Sequence, residues 1–217
     1  MCAQTNSPTI PLDPSKLSRQ PGAGFTPLKK DSPYSPVGVN LTGLPRRVKD
    51  SCADVYNNAC TRWERAKLQG ARTIREIIVL KGGETPDEAK LDELCENLLK
   101  IIDDLARIVD SISSVRKNFE ALLKIYKVKA SIDSDTMANS NVPFLSYTLE
   151  KYLEMIRSIE EPYIQELKFK RNLIKRVPLQ NNQAICTFIN VCWLHDPLID
   201  ESVMRAVLAL VAECGFK

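Results

Sequence analysis

The chain has 217 residues, 44% of them hydrophobic and 26% charged, with a formal net charge of +3. That is enough chain for one large domain or two small ones with a real core, in the ordinary composition range of globular and helical-bundle proteins. So small a charge excludes nucleic-acid or membrane recognition by bulk electrostatics, and no apolar run approaches the roughly 20 residues that span a bilayer. The start of the chain has no apolar h-region, so the expected compartment is cytosol or nucleus, where thiols stay reduced. The seven cysteines are odd in number, form no C-x-x-C pair, and have one histidine beside them. Neither a metal site nor a bound cofactor is expected from such a set.

Residues 1–45 hold eight of the thirteen prolines, set among Ser, Thr, Gly and Lys. A segment of this composition buries too little apolar surface to offset its ordering entropy, and it reads as a disordered arm. From residue 46 the apolar spacing is helical. Pro45 suits a first helical position, and Val48, Cys52, Val55, Ala59, Trp63, Ala66, Gly70, Ile74 and Ile77 mark one face of a helix over about 46–81. Gly70 reads as a weak point, about 1 kcal/mol worse than Ala in a helix interior.

A second helix is expected over about 86–129. Thr85-Pro86-Asp87-Glu88 has the parts of a capping box, with Thr85 as N-cap. The face beyond it is Leu91, Leu94, Leu98, Ile101, Leu105, Ile108, Ile112, Val115, Phe119 and Leu122, continuing to Tyr126. Its steps alternate three and four, a 3.5-residue repeat over five heptads, about 50 Å long. Cys95, Leu99, Ile102, Val109 and Leu123 widen the stripe beyond a two-stranded seam. A second copy of the chain in a homodimer, another subunit, or helices of the same chain could all cover it, and its width favours the last.

A third helix is expected over about 143–177, kinked or split at Pro162. Two shorter helices come next, over about 183–195 and 197–214, the last with Asp196 as N-cap and Pro197 at the first helical position. The fold expected is all-α: an elongated antiparallel helical bundle or coiled coil over residues 46–217, with a disordered arm ahead of it.

Phosphate-loop, dinucleotide, serine-hydrolase and zinc-protease motifs are absent. Cys192 and His195 stand three apart, the spacing of a nucleophile and base on one helix. Packing explains the stretch better: Trp193 and Leu194 fill a core, and His195 suits the last carbonyls of a helix. No catalytic residue is assigned. Lys168, Arg171 and Lys175 share a face, with Lys170 and Arg176 beside them, and read as charges complementing a helix C-terminus. Glu160–Glu161 read as helix-surface acids. In the arm, Thr26-Pro27-Leu28-Lys29 has the order a cyclin-dependent kinase prefers, and Ser32-Pro33 and Ser35-Pro36 are further proline-directed positions. Thr26, Ser32 and Ser35 are the candidate phosphorylation sites.

Three stretches carry a family resemblance. Arg46-Arg47-Val48-Lys49-Asp50 runs through Ala53-Asp54 to Trp63-Glu64. Tyr152-Leu153-Glu154-Met155 is joined later by Glu166-Leu167-Lys168-Phe169-Lys170-Arg171. Trp193-Leu194-His195-Asp196-Pro197 leads to Glu213-Cys214-Gly215. Together they resemble the cyclin-dependent kinase 2 interacting protein family. The element Trp193, Leu194, His195, Pro197 is the most specific piece, with Trp63 beside it, whereas the middle helix matches in heptad character alone. The resemblance implies a non-enzymatic nuclear coiled-coil protein, an adaptor that requires no cofactor. Its implied partners are cyclin-dependent and Cdc7-type kinases, a checkpoint kinase partner, AAA ATPase subunits of a chromatin-associated complex, and another small helical subunit. The implied processes are DNA replication, checkpoint signalling, replisome protein turnover and large ribosomal subunit maturation. A cytoplasmic coiled-coil scaffold or tether is the alternative.

Overall fold

The helical spacing that begins at Val48 produces one continuous rod in the computed structural model, which describes residues 25–28, 43–83, 87–132, 142–179 and 181–216. The rod consists of α1 (Gly43–Tyr56), a π-helical segment (Asn57–Arg62) and α2 (Trp63–Lys81). It starts two residues before Pro45, at Gly43, whose φ of +63° a residue with a side chain would adopt only under strain. Val48, Cys52, Val55, Ala59, Trp63, Ala66, Ile74 and Ile77 are all buried, so the face read from spacing is the face that packs.

The chain then turns back into α3 (Glu88–Ile132), 45 residues or roughly 67 Å. Thr85 and Pro86 lie outside the described residues. The cap is Asp87, whose Oδ1 accepts the Lys90 amide at 3.1 Å. Leu94, Leu98, Ile101, Leu105, Ile108, Ile112, Val115 and Phe119 are buried, and Leu91 and Leu122 at the two ends are half-buried. The heptad stripe is therefore core within this chain, with Ile102 and Val109 buried beside it and Leu99 facing out.

Helix α4 (Leu149–Ile174) packs on α3. It begins at the N-cap Thr148, whose hydroxyl accepts from the Lys151 amide, and not near Pro143. It runs unbroken through Pro162, which has no N–H to offer the Ser158 carbonyl one turn back. Helices α5 (Gln183–His195) and α6 (Glu201–Glu213) run back along the rod, α5 against α2 and α6 against α1 and α4. Rod, α3, α4 and the α5–α6 pair form an up-down-up-down bundle of four, the fourth member broken in two. Among the described residues there is no strand. Of the proline-rich arm, Phe25 to Leu28 are described and pack on the rod; Ser32 and Ser35 lie outside the described residues.

Gly70 proves to be a seat. A Cβ there would lie 2.3 Å from Cζ2 of Trp193, whose indole is fully buried over the glycine and donates to the Lys67 carbonyl at 2.9 Å. Gly70→Ala should therefore destabilise by about 1–3 kcal/mol through overpacking, although Ala is the better helix former. Urea unfolding of the two proteins measures this, and an unchanged or raised midpoint would refute the seat.

Candidate functional site

The break between α5 and α6 is where the most specific sequence element folds. α5 ends at His195, and Asp196 comes next in the left-handed region with φ 45° and ψ 64°, which Asp and Asn tolerate better than most residues. A tight turn closes with the Ile199 amide on the Asp196 carbonyl at 2.9 Å. Asp196 is thus not the N-cap of α6, and Pro197 is not its first residue. Asp200 caps α6, accepting from the Ser202 and Val203 amides at 2.9 and 3.1 Å. These bonds, that of the Ser202 hydroxyl first, hold the Asp200 carboxyl below its usual range.

Asp196 is diverted because its carboxylate is needed inside. Oδ1 lies 2.8 Å from the Lys170 ammonium; Oδ2 lies 3.1 Å from Lys67 Nζ and accepts from Trp63 Nε1 at 3.2 Å. Lys170 is fully buried on α4. Its ammonium also faces Glu166 Oε1 at 3.3 Å, donates to the Trp193 carbonyl and sits 4.6 Å from the centre of the Trp193 ring. Glu166, also fully buried, accepts the Leu198 amide on Oε2 at 3.0 Å. Lys67 is shared with Glu64 at 2.6 Å. Two lysines and three carboxylates from α2, α4 and the break thus close one cluster, walled by the two tryptophans.

Burial sets the electrostatics. It raises the Glu166 carboxyl, and the Lys170 charge and Leu198 amide oppose this without cancelling it. Burial alone would lower Lys67, but the Asp196 and Glu64 charges prevail and hold its ammonium above the usual lysine range.

The π segment stands beside this cluster. Trp63 N–H reaches back to the Asn58 carbonyl, five residues earlier, where an α-helix would have used Ala59. The Tyr163 hydroxyl of α4 donates to the Ala59 carbonyl instead, at 2.9 Å, and its ring meets Trp63 edge-on at 4.9 Å. Asn58 turns inward, donating to the Asp54 carbonyl and the Ser111 hydroxyl of α3 at 2.8 and 3.2 Å.

The element that carries the resemblance most specifically divides in two. Trp63 and Trp193 are buried and Leu194 is half-buried, whereas His195 and Pro197 are exposed and pack little. Cys192 is half-buried, and among the described residues it shares no hydrogen bond with His195. Lys170, which the spacing set in a basic surface run, is buried, while Lys168, Arg171 and Lys175 remain exposed. Glu160 is no surface acid either: it is buried against α3, taking Ser113 Oγ at 2.5 Å and Arg116 Nε at 2.6 Å.

Spacing missed the outer face of α5. Cys186, Ile189 and Trp193 face the bundle, while Ile185, Phe188 and Val191 lie 42%, 66% and 47% exposed. A helix apolar on two faces has a second face that no other described residue covers. Leu179, just upstream, is exposed as well. The signal lay in the run from Ala184 to Leu194, where only Thr187 and Asn190 are polar, too few for a solvated face.

No family model matches the chain. Among curated proteins, it is 21% identical to the Cyclin-dependent kinase 2-interacting protein of Xenopus laevis, over 82% of this chain and 92% of that protein. It is 20% identical to the Cyclin-dependent kinase 2-interacting protein of Bos taurus, over 86% of this chain and 95% of that protein.

Two outcomes test the cluster. Lys170→Met leaves buried Glu166 without a cation and removes one of the two lysines of Asp196, and should lose about 3–5 kcal/mol in urea unfolding; a loss under about 1 kcal/mol would mean the ions are not confined as described. Burial also pushes the Cys60 thiol up to about 12 and holds the Cys52 thiol and Tyr163 hydroxyl well above their ordinary values. These groups keep protons in the folded chain that the unfolded chain releases. Their contribution is full below the ordinary thiol value of 9.0 and is lost as pH rises from there. The urea midpoint should decline from about pH 9 to about pH 12, and Cys60→Ala should flatten that decline.

Proposed function

We propose, on the premise that the chain's homologues are cyclin-dependent kinase 2-interacting proteins, that it is a non-catalytic adaptor that binds a cyclin-dependent kinase. The observation that carries this is the end-to-end similarity, which takes in more than four-fifths of this chain and more than nine-tenths of each relative. A match of that extent relates whole architectures and not one shared coiled-coil stretch. The finer reading is an accessory subunit that links replication kinases, of cyclin-dependent and Cdc7 type, to a chromatin-associated AAA ATPase complex. On this reading it resides in the nucleus and serves DNA replication, checkpoint signalling and replisome protein turnover, and also large ribosomal subunit maturation. A checkpoint kinase partner and a second small helical subunit complete the set of partners proposed.

The surface proposed for the kinase is the outer face of α5. Interface anchors are large, apolar or aromatic, and mounted on rigid elements. Phe188 meets those conditions, flanked by Ile185 and Val191 with a neutral rim of Gln183, Thr187 and Asn190. The heptad face of α3 does not meet them, because it is consumed in the core.

In a binding assay with a purified cyclin-dependent kinase–cyclin pair, Phe188→Asp should weaken binding at least about 10-fold, as removal of an anchor does. Its thermal midpoint should stay within about 2 °C, since an exposed substitution has little effect on stability. Binding by the unaltered chain that is insensitive to Phe188→Asp would refute this surface. Absence of binding to any such kinase would refute the function.

A further inference from the structure

The short segment Phe25-Thr26-Pro27-Leu28 is strapped across the π segment. Its two ends are apolar and half-buried against the core, and the two residues between them are exposed. Phe25 meets Tyr56 edge-on, with ring centres 6.1 Å apart and planes at 86°. The Asn57 carboxamide reads the backbone of Leu28 twice: Oδ1 accepts its N–H at 2.7 Å, and Nδ2 donates to its carbonyl at 3.0 Å. A side-chain amide that pairs both main-chain groups of one residue does for an extended peptide what a neighbouring strand would do. Two hydrogen bonds and two half-buried side chains form a weak attachment, drawn from the low-stability end of any fold.

The hydroxyl between those anchors is open to an enzyme. Thr26 precedes Pro27, and Lys29 stands three residues after it in sequence. Phe25 also lines a cavity over the helix break, together with Glu64, Asp196, Asp200 and Glu201. Among the described residues, Lys67 is already engaged by Glu64 and Asp196, and Arg205 by Glu201 at 4.0 Å. A phosphate on Thr26 would add about −1.5 to −2 charge on the residue next to Phe25, at a cavity whose described lining holds four carboxylates and no lysine or arginine.

We infer that Thr26 is a modification site for a proline-directed kinase, and that its phosphorylation releases the Phe25–Leu28 strap from the rod. The transfer is ordinary: the Thr26 hydroxyl oxygen attacks the γ-phosphorus of ATP, the bond to ADP breaks, and the hydroxyl proton passes to the kinase's base. Repulsion from Glu64, Asp200 and Glu201 then opposes the two bonds to Asn57, and the strap leaves. Release uncovers Asn57, Tyr56 and the cavity above Asp196 while the bundle beneath stays folded. This goes beyond the adaptor reading and does not depend on it, since the kinase acts here as an enzyme on its substrate.

The test uses the full chain, a purified cyclin-dependent kinase and magnesium ATP, with site mapping by mass spectrometry and amide exchange by NMR. Thr26 should be labelled, and exchange of the Leu28 amide should then speed up at least about 10-fold, to the rate seen in unphosphorylated Asn57→Ala. Amides of α3 and α4 should be unaffected. The inference is overturned if Thr26 is not labelled, or if Leu28 keeps its protection once Thr26 is fully phosphorylated. It is equally overturned if Asn57→Ala leaves the Leu28 amide as slow as in the unaltered chain.

Discussion

A fully buried ammonium, that of Lys170, decides how the last third of this chain folds. Taking a lysine out of water is expensive unless opposite charges and hydrogen-bond acceptors surround it. Glu166 supplies one from the same helix, a turn away. The other must come from elsewhere, and Asp196 at 2.8 Å provides it only if α5 stops at His195. The break between α5 and α6 is therefore the position the backbone takes so that one carboxylate can reach two lysines. Trp193 is locked by the same arrangement: its carbonyl accepts from Lys170, and its indole lies where Gly70 leaves room. A register slip of α5 along α2 would lose both the ion contacts and the seat, so the cluster selects one docking position among many that hydrophobic contact alone would tolerate.

The π segment belongs to the same solution. An extra residue in a helix frees a carbonyl and rotates the turns beyond it. The freed carbonyl at Ala59 is taken by Tyr163, and the rotation brings Trp63 to Asp196. It also separates two adjacent asparagines. Asn58 faces α3, while Asn57 faces out and holds Leu28. One local irregularity thus completes the interior and creates a hydrogen-bonding grip on the surface.

The features that spacing reveals and those it hides divide along a physical line. Periodicity reports which side of a helix is apolar, so the faces of the rod, α3 and α4 were legible, and the width of the α3 stripe foretold its burial within the chain. The resemblance drawn from Trp193 to Pro197 and its companion stretches agrees with the similarity to the cyclin-dependent kinase 2-interacting proteins. Periodicity does not report a partner far along the chain. Asp196-Pro197 has the local form of a helix start, and only lysines 26 and 129 positions away turn it into something else. Lys170 looked like one of a basic run for the same reason. Gly70 looked like a defect because its cause, Trp193, lies 123 residues on. His195 and Pro197 share a sequence element with Trp193 and Leu194, yet they are exposed to solvent.

The buried cluster and the exposed face of α5 are two sides of one helix. On the adaptor reading this matters for affinity more than for shape. A docking helix that must be ordered on binding loses side-chain and backbone entropy at that moment, and only the surplus appears as affinity. Here α5 is already held through Trp193, the seat at Gly70 and the charges beneath, so Phe188 and its neighbours are presented in place before any partner arrives. A buried ion network adds little to stability when compared with a well-packed apolar core. Its use in this chain lies in the fixed position it gives to α5, a helix with an exposed apolar outer face.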